Sequence, residues 1–319
     1  MISVEHLTKW YGDFKAVDDL SFEIDEGHVY GFLGPNGAGK STTMNIMTGY
    51  LGATEGQVLI DGHDILKEPE EAKKNIGYLP EIPPLYMEMT VREYLEFAAE
   101  LKGIKKDKRE PQIEEVIRLA KLRDVENRLI QNLSKGYKQR VGLAQAVLGF
   151  PEIIILDEPT VGLDPKQIIE IRELIRKLAK KHTVILSSHI LAEVREVCDY
   201  IMIISGGKLV ASDTTENLEN MMSGKGQIEV EAKASRDEMD HIIRRTGKIK
   251  EVKYRTSASG ITTAQIIAKG GEDIREELFL AFSHADVPML TLNQSKTTLE
   301  EIFLELTQGS GNRMIKEEK

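Results

Sequence analysis

The strongest candidate for chemistry is a glycine-rich segment near the N-terminus of the 319-residue chain. Residues 34–41 read GPNGAGKS and fit the pattern G-x-x-x-x-G-K-[ST]. Glycines let successive backbone N–H groups point at one anion without Cβ clashes, and the N-terminus of the helix expected next adds partial positive charge. Lys40 is a mobile cation suited to β- and γ-phosphates, and Ser41 offers Mg²⁺ a hydroxyl ligand. We therefore predict a phosphate-binding loop made by Gly34, Pro35, Asn36, Gly37, Ala38, Gly39, Lys40, Ser41 and Thr42.

A pair of acidic residues follows an apolar run further along the chain. Residues 153–158 read IIILDE, which predicts a buried strand that ends in Asp157 and Glu158. Acidic residues at the carboxyl end of a parallel strand meet the ligand crevice. Asp157 would hold Mg²⁺, usually through water, and Glu158 would polarise the attacking water. Such acids are common at strand ends, so it is their combination with the phosphate-binding loop that favours nucleotide hydrolysis.

Three further motifs accompany these two. LSKGYKQR spans residues 133–140, GLDP spans 162–165 and SSH spans 187–189. Together the five motifs resemble those of the ABC ATPases, in that family's order and spacing, over roughly residues 1–220. The resemblance implies ATP and Mg²⁺ as ligands, and a homodimer that forms through the nucleotide face, at least when ATP is bound. The chain contains no Asn-Lys-x-Asp motif, which argues against a GTPase.

The resemblance also assigns roles to residues of the later motifs. Ser134 would cap the helix that follows it, and Ser134 and Gly136 would contact the γ-phosphate held by the opposing protomer. Asp164 belongs to the segment called the D-loop in this family. His189 corresponds to the switch histidine, which contacts the γ-phosphate. Taken alone, a capping serine or a histidine after a strand is more often structural, and only the position within the set of motifs favours these roles.

Other positions are ambiguous or depart from the family pattern. Tyr11 occupies the place of the aromatic residue that stacks on adenine, although the adjacent Trp10 is an alternative. Lys135 and Tyr137 replace the glycine and glutamine that usually flank the signature glycine. Glu81 replaces the glutamine that joins Mg²⁺ to the membrane partner, and we assign it to the metal site because a carboxylate keeps the oxygen acceptor.

Alternating strands and helices must position these residues. Sequence periodicity predicts strands over residues 153–156, 183–187 and 200–205 and helices over 41–48, 91–102, 110–121, 137–149, 166–180 and 190–197. This alternation predicts an α/β fold with a mostly parallel sheet that binds its ligand at the carboxyl ends of the strands. The resemblance implies a P-loop ABC ATPase domain over residues 1–223, with an antiparallel N-terminal β-region and a helical signature subdomain at about residues 82–150. Lys138 and Arg140 are expected on a solvated helix face.

Residues 224–319 are predicted to form a C-terminal accessory domain. Two glycines interrupt the pattern at residues 221–227, and the formal charge changes from −9 before residue 224 to −1 after it. The order strand–helix–strand–strand–helix–strand predicts a small α+β, ferredoxin-like domain, and a closing helix is expected over 298–307. This domain would bind a regulator, help the chain to dimerise, or only stabilise it.

Composition narrows the functional classes. The formal net charge of −10 disfavours non-specific nucleic-acid binding, so no nucleic-acid partner is expected. The single cysteine, Cys198, excludes an internal disulfide and a multi-cysteine metal site. No run approaches the ~18 apolar residues of a spanning helix, and the N-terminal residues lack a secretory signal. We expect a cytoplasmic protein, peripheral on the cytoplasmic face of the cell membrane.

The resemblance implies an ATP-binding and ATP-hydrolysing subunit of an ABC-type exporter, which would energise a separate transmembrane permease by ATP-driven dimerisation. The departures at Glu81 and Lys135 resemble subunits associated with gliding motility, multidrug export and sodium export. Residues 76–133 are the expected permease contact, and segment 82–90 is either its docking site or a packed loop. One alternative is a non-transport ABC-type regulatory ATPase. Another is a small-molecule kinase on a P-loop fold, which would lack the signature and the switch histidine.

Overall fold

The computed structural model describes residues 1–218, 227–257 and 260–295, together with Phe303. These residues form two compact units, the first over residues 1–215 and the second within residues 216–305. The boundary predicted between residues 223 and 224 lies outside the described residues. The division of the chain into domains 1–223 and 224–319 therefore stays a prediction.

Strands and helices alternate through the first unit. In chain order they are β1 (Ile2–Tyr11), β2 (Phe14–Ile24), β3 (Val29–Leu33), α1 (Lys40–Met47), β4 (Glu55–Ile60), β5 (His63–Asp64), α2 (Pro69–Lys74), β6 (Ile76–Leu79), α3 (Val91–Leu101), α4 (Lys106–Leu119), α5 (Lys135–Val147), β7 (Ile153–Leu156), α6 (Pro165–Leu178), β8 (Thr183–Ser188), α7 (Leu191–Val197), β9 (Tyr200–Ser205) and β10 (Lys208–Thr214).

A six-stranded sheet positions the predicted site. Its order is β10-β9-β3-β8-β7-β6, and the neighbours pair in parallel except for the antiparallel pair β10 and β9. β3, β7 and β8 are buried along their whole length, as is usual for parallel strands that are covered on both faces. Leu33 pairs with Ser188, and Leu156 pairs with Leu186. The loops that follow β3, β7 and β8 therefore leave the sheet at the same edge.

A second, antiparallel sheet contains the N-terminal strands in the order β2-β1-β4-β5. β1 and β2 form a hairpin in which Tyr11 pairs with Phe14. The turn between them contains Gly12, whose φ of 58° is a left-handed conformation that glycine adopts easily. The hairpin thus carries two aromatic side chains beside its turn.

Side-chain caps set the starts of α3 and α5, two of the helices between β6 and β7. Thr90 caps α3 in a reciprocal capping box with Glu93. α5 begins at Lys135, before its predicted start, because Ser134 caps it. α4 begins at Lys106, also before its predicted start. These helices form the helical part of the first unit that the resemblance implied.

The helices of the first unit bury one face and expose the other. In α6 the buried residues are Ile171, Leu174, Ile175 and Leu178, which recur at intervals of three and four. Charged residues occupy much of the rest of this helix. Across the described ranges, no helix is both long enough and apolar enough to cross a membrane.

The described part of the second unit forms a four-stranded antiparallel sheet with two α-helices. Its elements are β11 (Gln227–Ala232), α8 (Arg236–Arg244), β12 (Ile249–Thr256), β13 (Thr262–Ala268), α9 (Arg275–His284) and β14 (Met289–Ser295). The strand order β12-β13-β11-β14 is that of a ferredoxin-like split unit, which confirms the predicted fold class. Ile228, Val230, Ile266, Leu278 and Phe282 belong to its core. The closing helix expected over 298–307 lies, apart from Phe303, outside the described residues.

Candidate nucleotide site

The phosphate-binding loop joins β3 to α1. Gly37 and Gly39 have φ angles of 80° and 104°, conformations that strongly favour glycine. A Cβ atom on Gly39 would lie 2.5 Å from the carbonyl oxygen of Ala16, so this position has no room for a side chain. α1 begins at Lys40, and its first N–H groups are free of intrahelical partners. The loop can therefore offer several backbone donors and a helix N-terminus to one anion.

Lys40 is buried at the mouth of this loop. Its Nζ donates to the carbonyl oxygens of Gly34, at 2.8 Å, and Pro35, at 3.3 Å. The same Nζ lies 3.6 Å from Oε1 of Glu158. A lysine ammonium in this position can make charge-assisted hydrogen bonds to phosphate oxygens. The structure thus brings together the first and second motifs predicted from the sequence.

Oxygen ligands suited to Mg²⁺ meet next to the loop. Ser41 Oγ donates to Oδ1 of Asp157 at 3.2 Å, and Ser187 Oγ donates to the same oxygen at 2.5 Å. Mg²⁺ usually takes one or two carboxylates together with substrate phosphates and water. Glu81 and Ser41 line a common cavity beside the loop. Within the described residues, no group of three or more His, Cys, Asp and Glu side chains could hold an ion by itself. The donor set therefore fits a metal that is shared with phosphate.

Glu158 combines an unusual backbone with two polar partners. Its φ of 45° is left-handed, which is uncommon for a residue with a side chain and typical of strained positions in functional sites. Its backbone N–H donates to Ser187 Oγ at 2.8 Å, which holds the strained turn against β8. Its Oε2 lies 3.0 Å from Nδ1 of His189. The carboxylate and the imidazole are thus in hydrogen-bond reach of each other, beside Lys40.

Lys40, Glu158 and His189 share one cavity of about 460 Å³, whereas Asp157 lines a second cavity, which Ser41 and Glu81 also line. The lining residues of the first cavity are Tyr11, Phe14, Ala16, Asn36, Gly37, Gly39, Lys40, Ser41, Thr42, Glu81, Glu158, Val161 and His189. The cavity joins the phosphate-binding loop, the predicted hydrolytic residues and the tip of the β1–β2 hairpin. It can hold the base, the sugar and the phosphates of a nucleotide in that order.

The two adjacent aromatic residues at the hairpin tip differ in their surroundings, and the choice of Tyr11 over Trp10 for adenine stacking stays a prediction. Tyr11 lines the cavity, whereas Trp10 lies under the ammonium group of Lys15, 4.8 Å from Nζ to the ring centroid. Phe14 also lines the cavity and was not identified from the sequence. The signal that could have found it is an aromatic residue on each side of the turn at Gly12, since such residues face each other across a hairpin.

The signature residues lie outside this cavity. Ser134 caps α5, accepting a hydrogen bond from the N–H of Tyr137 at 3.4 Å. Ser134 and Gly136 are absent from the lining residues of the cavity, although both are described. The capped N-terminus of α5 is therefore not part of the nucleotide cavity of its own chain.

The signature packs instead against the D-loop of the same chain. A Cβ atom on Gly136 would collide with the side chain of Gln167, and one on Gly162 would collide with the Lys135 side chain. Asp164 caps α6 by accepting from the N–H of Gln167 at 3.0 Å. The structure therefore gives Asp164 a structural role at this surface, and Lys135 lies over the D-loop.

The expectation of a solvated basic face on α5 is wrong for Arg140. This residue is buried, forms an ion pair with Glu170 on α6, and lies over the ring of Tyr137 at 5.5 Å. Lys138 is half-buried. Arg140 is covered because α5 meets α6 through a charged contact, which periodicity of apolar residues does not predict.

Comparison with known proteins agrees with this geometry. A family model described as "ABC transporter" matches residues 17–161. The bacitracin transport ATP-binding protein BcrA of Bacillus licheniformis is 42% identical over 221 residues, which cover 69% of this chain and 71% of BcrA. The linearmycin resistance ATP-binding protein LnrL of Bacillus subtilis (strain 168) is 31% identical over 308 residues, which cover 96% of this chain and 98% of LnrL.

Solved structures agree as well. The ATP-binding cassette MJ0796, in a dimeric post-hydrolysis state bound to ADP and Pi, is 28% identical with a TM-score of 0.61. The match covers 67% of this chain and 98% of that one. Fold and site thus define a P-loop ATPase. The chain belongs to the ABC transporter ATP-binding family and is an ATP-binding subunit with ATPase activity.

Proposed function

We propose that this chain is the ATP-hydrolysing subunit of an exporter whose permease is a separate chain. The single observation that carries the ATPase site is the convergence of Lys40, Glu158 and His189 on one cavity. The names of BcrA and LnrL, which refer to bacitracin transport and linearmycin resistance, favour export as the direction. The chain would work on the cytoplasmic face of the membrane.

The residues of the cavity have distinct proposed roles in hydrolysis. The amides of the loop and Lys40 bind the β- and γ-phosphates, and Tyr11 with Phe14 holds the base. Ser41, Asp157 and Glu81 would hold Mg²⁺, whose charge would offset that of the phosphates. Glu158 orients a water molecule and accepts its proton as the oxygen attacks the γ-phosphorus and the bond to the ADP oxygen breaks. His189 fixes Glu158 and contacts the γ-phosphate.

We further propose that two copies close head to tail around two MgATP. Ser134 is exposed and lies outside the cavity of its own chain, so it is available to the γ-phosphate bound by a second copy, with the buried Gly136 beside it in the first turn of α5. A site completed by the partner couples dimer closure to ATP binding, and loss of the γ-phosphate on hydrolysis would reopen the dimer. The relationship to the dimeric cassette MJ0796 supports this arrangement.

We propose that the permease docks at the second cavity, of about 860 Å³. Among its lining residues are Tyr50, Glu81, Ile82 and Pro84. Tyr50 and Ile82 are each 82% exposed, an unusual exposure for large side chains beside a cavity. Glu81 lines both cavities and would connect the permease to the nucleotide. Within segment 82–90, Tyr86 instead packs on Phe97, with ring centroids 5.2 Å apart, so the docking role falls to the Ile82 end.

The hydrolytic roles are tested by Glu158→Gln with Glu152→Gln as the matched control. Glu152 is an exposed carboxylate next to the other end of β7. We expect Glu158→Gln to bind ATP, to lose most turnover and to accumulate an ATP-bound dimer, while Glu152→Gln behaves as the unchanged chain. Undiminished hydrolysis by Glu158→Gln would contradict the assignment of the proton acceptor.

The permease proposal is tested by purification from detergent-solubilised membranes. A multi-span protein should co-purify with the unchanged chain and with Leu66→Asp, an exposed control position, but not with Ile82→Asp. Recovery of a non-membrane complex in its place would favour the alternative of a regulatory ATPase.

A further inference from the structure

A buried carboxyl group lies beside the nucleotide site without lining it. Glu193, on α7, is 6% exposed. Its Oε2 accepts hydrogen bonds from Thr160 Oγ1 at 2.5 Å and from Ser188 Oγ at 3.1 Å. Both of these residues are buried as well. Burial of a carboxyl group is costly unless it is hydrogen-bonded, so an apolar side chain would serve packing alone better. The burial of Glu193 therefore depends on these two hydrogen bonds.

The two partners lie in, or at the start of, the two loops that carry the proposed hydrolytic side chains. Thr160 lies two residues after Glu158, in the loop that follows β7. Ser188 ends β8 and directly precedes His189. Ser188 Oγ also accepts from the backbone N–H of Ile190 at 3.0 Å, so this hydroxyl is tied to the chain on the far side of His189. The Glu193 carboxyl group consequently joins the two loops through buried hydrogen bonds.

We propose that Glu193 is a positioning residue for ATP hydrolysis, which bridges Thr160 and Ser188 and so sets the separation between Glu158 and His189. Oε2 of Glu158 and Nδ1 of His189 are 3.0 Å apart, and this contact depends on the relative position of their loops. A displacement of about 1 Å at a reacting centre can lower a rate by about 100-fold. Glu193 is not among the residues lining the cavity, so it acts through the two loops and not on ATP.

Kinetics of matched variants separate this role from a contribution to folding. Glu193→Ala and Thr160→Val each remove the bridge, and the second does so at nearly constant volume. We expect kcat to fall about tenfold or more while the KM for ATP changes less than about twofold, because the phosphate-binding loop is untouched. Glu193→Gln and Thr160→Ser keep an oxygen acceptor and a hydroxyl donor, and they should recover most of kcat.

Val194→Ala is the control for lost packing. Val194 is fully buried on the same helix and has no polar side chain. Its kcat per folded molecule should match that of the unchanged chain, with the folded fraction measured from the fluorescence of Trp10. The double variant Glu193→Ala/Thr160→Val should lose no more than either single variant, because both remove the same bridge. Three results would overturn the proposal. The first is a double variant whose loss of kcat is the product of the two single losses. The others are a loss of kcat in Val194→Ala as large as that in Glu193→Ala, and a kcat for Glu193→Ala within about twofold of the unchanged chain.

Because this proposal rests on the proposed roles of Glu158 and His189, Glu158→Gln and His189→Ala are measured in parallel. Full hydrolysis in those two variants would contradict the roles assigned to Glu158 and His189, and the proposal for Glu193 would fall with them. Loss of hydrolysis in those two but not in Glu193→Ala would overturn the bridge proposal alone.

Discussion

Removal of the Ser187 hydroxyl should weaken both the fold and the site. Ser187 is fully buried, donates to Oδ1 of Asp157 at 2.5 Å and accepts from the N–H of Glu158 at 2.8 Å. Ser187→Ala deletes a hydrogen bond to an acidic group and leaves a buried backbone donor without its acceptor. Each loss is worth about 1–3 kcal/mol, so we expect the unfolding free energy of the first unit to fall by about 3 kcal/mol.

The assay uses Trp10, the single tryptophan of the chain, which lies in β1 and so reports on the first unit. Urea unfolding followed by its fluorescence gives the change in free energy. ATP hydrolysis should fall mainly in kcat, because Asp157 and the strained turn at Glu158 both lose their anchor. Thr262→Val deletes a fully buried hydroxyl in the second unit and is the control, which should leave both readouts unchanged. A free-energy change below about 0.5 kcal/mol with unchanged kcat would refute the reasoning.

Two further perturbations probe the base pocket and the core. Tyr11→Ala and Phe14→Ala should each raise the KM for ATP about tenfold, because a stacking contact with a base is worth about 1–3 kcal/mol. Trp10→Ala is the control and should leave the KM unchanged in steady-state kinetics. A raised KM in Trp10→Ala alone would reverse the assignment of the base-stacking residue. Burial raises the pKa of the Cys198 thiol, so iodoacetamide should react only with unfolded chain, as mass spectrometry would reveal. As pH rises past the ordinary pKa of a thiol, Cys198 ionises in the unfolded chain before it ionises in the folded chain. The contribution of Cys198 to the unfolding free energy is therefore present at lower pH and lost at alkaline pH. Cys198→Ala should not show this alkaline loss of stability.

The motif residues were predictable because local physics demands their types. Gly37 and Gly39 occupy left-handed conformations, and the buried run before Asp157 has the composition of a parallel strand. Ser134 caps α5 as predicted, because serine is a preferred N-terminal cap, and Asp164, predicted only as a D-loop residue, caps α6. Such features need only neighbours along the chain.

Other features arise from contacts between distant segments. The strand β6 has only four residues, which is too short for a periodic signal in the sequence. One of the four is Gly77, where a Cβ atom would collide with the backbone of Ala146. The pairing of β6 with β7 therefore decides its structure. Glu193 appears in the sequence as an ordinary helical glutamate, and only tertiary packing buries it against Thr160. Sequence patterns reveal the type of chemistry, whereas the side chains that hold the site in shape emerge from the fold.

The most direct test of the account mixes two inactive variants. Lys40→Ala disables the phosphate-binding loop. Ser134→Asp keeps a good N-terminal cap for α5 but opposes a phosphate with negative charge. Each variant alone should hydrolyse ATP poorly. In a 1:1 mixture about half of the dimers are mixed and each contains one complete site, so about a quarter of the unchanged activity should return. Full activity of Ser134→Asp alone, or no recovery on mixing at concentrations where the unchanged chain dimerises, would contradict a site shared between two copies.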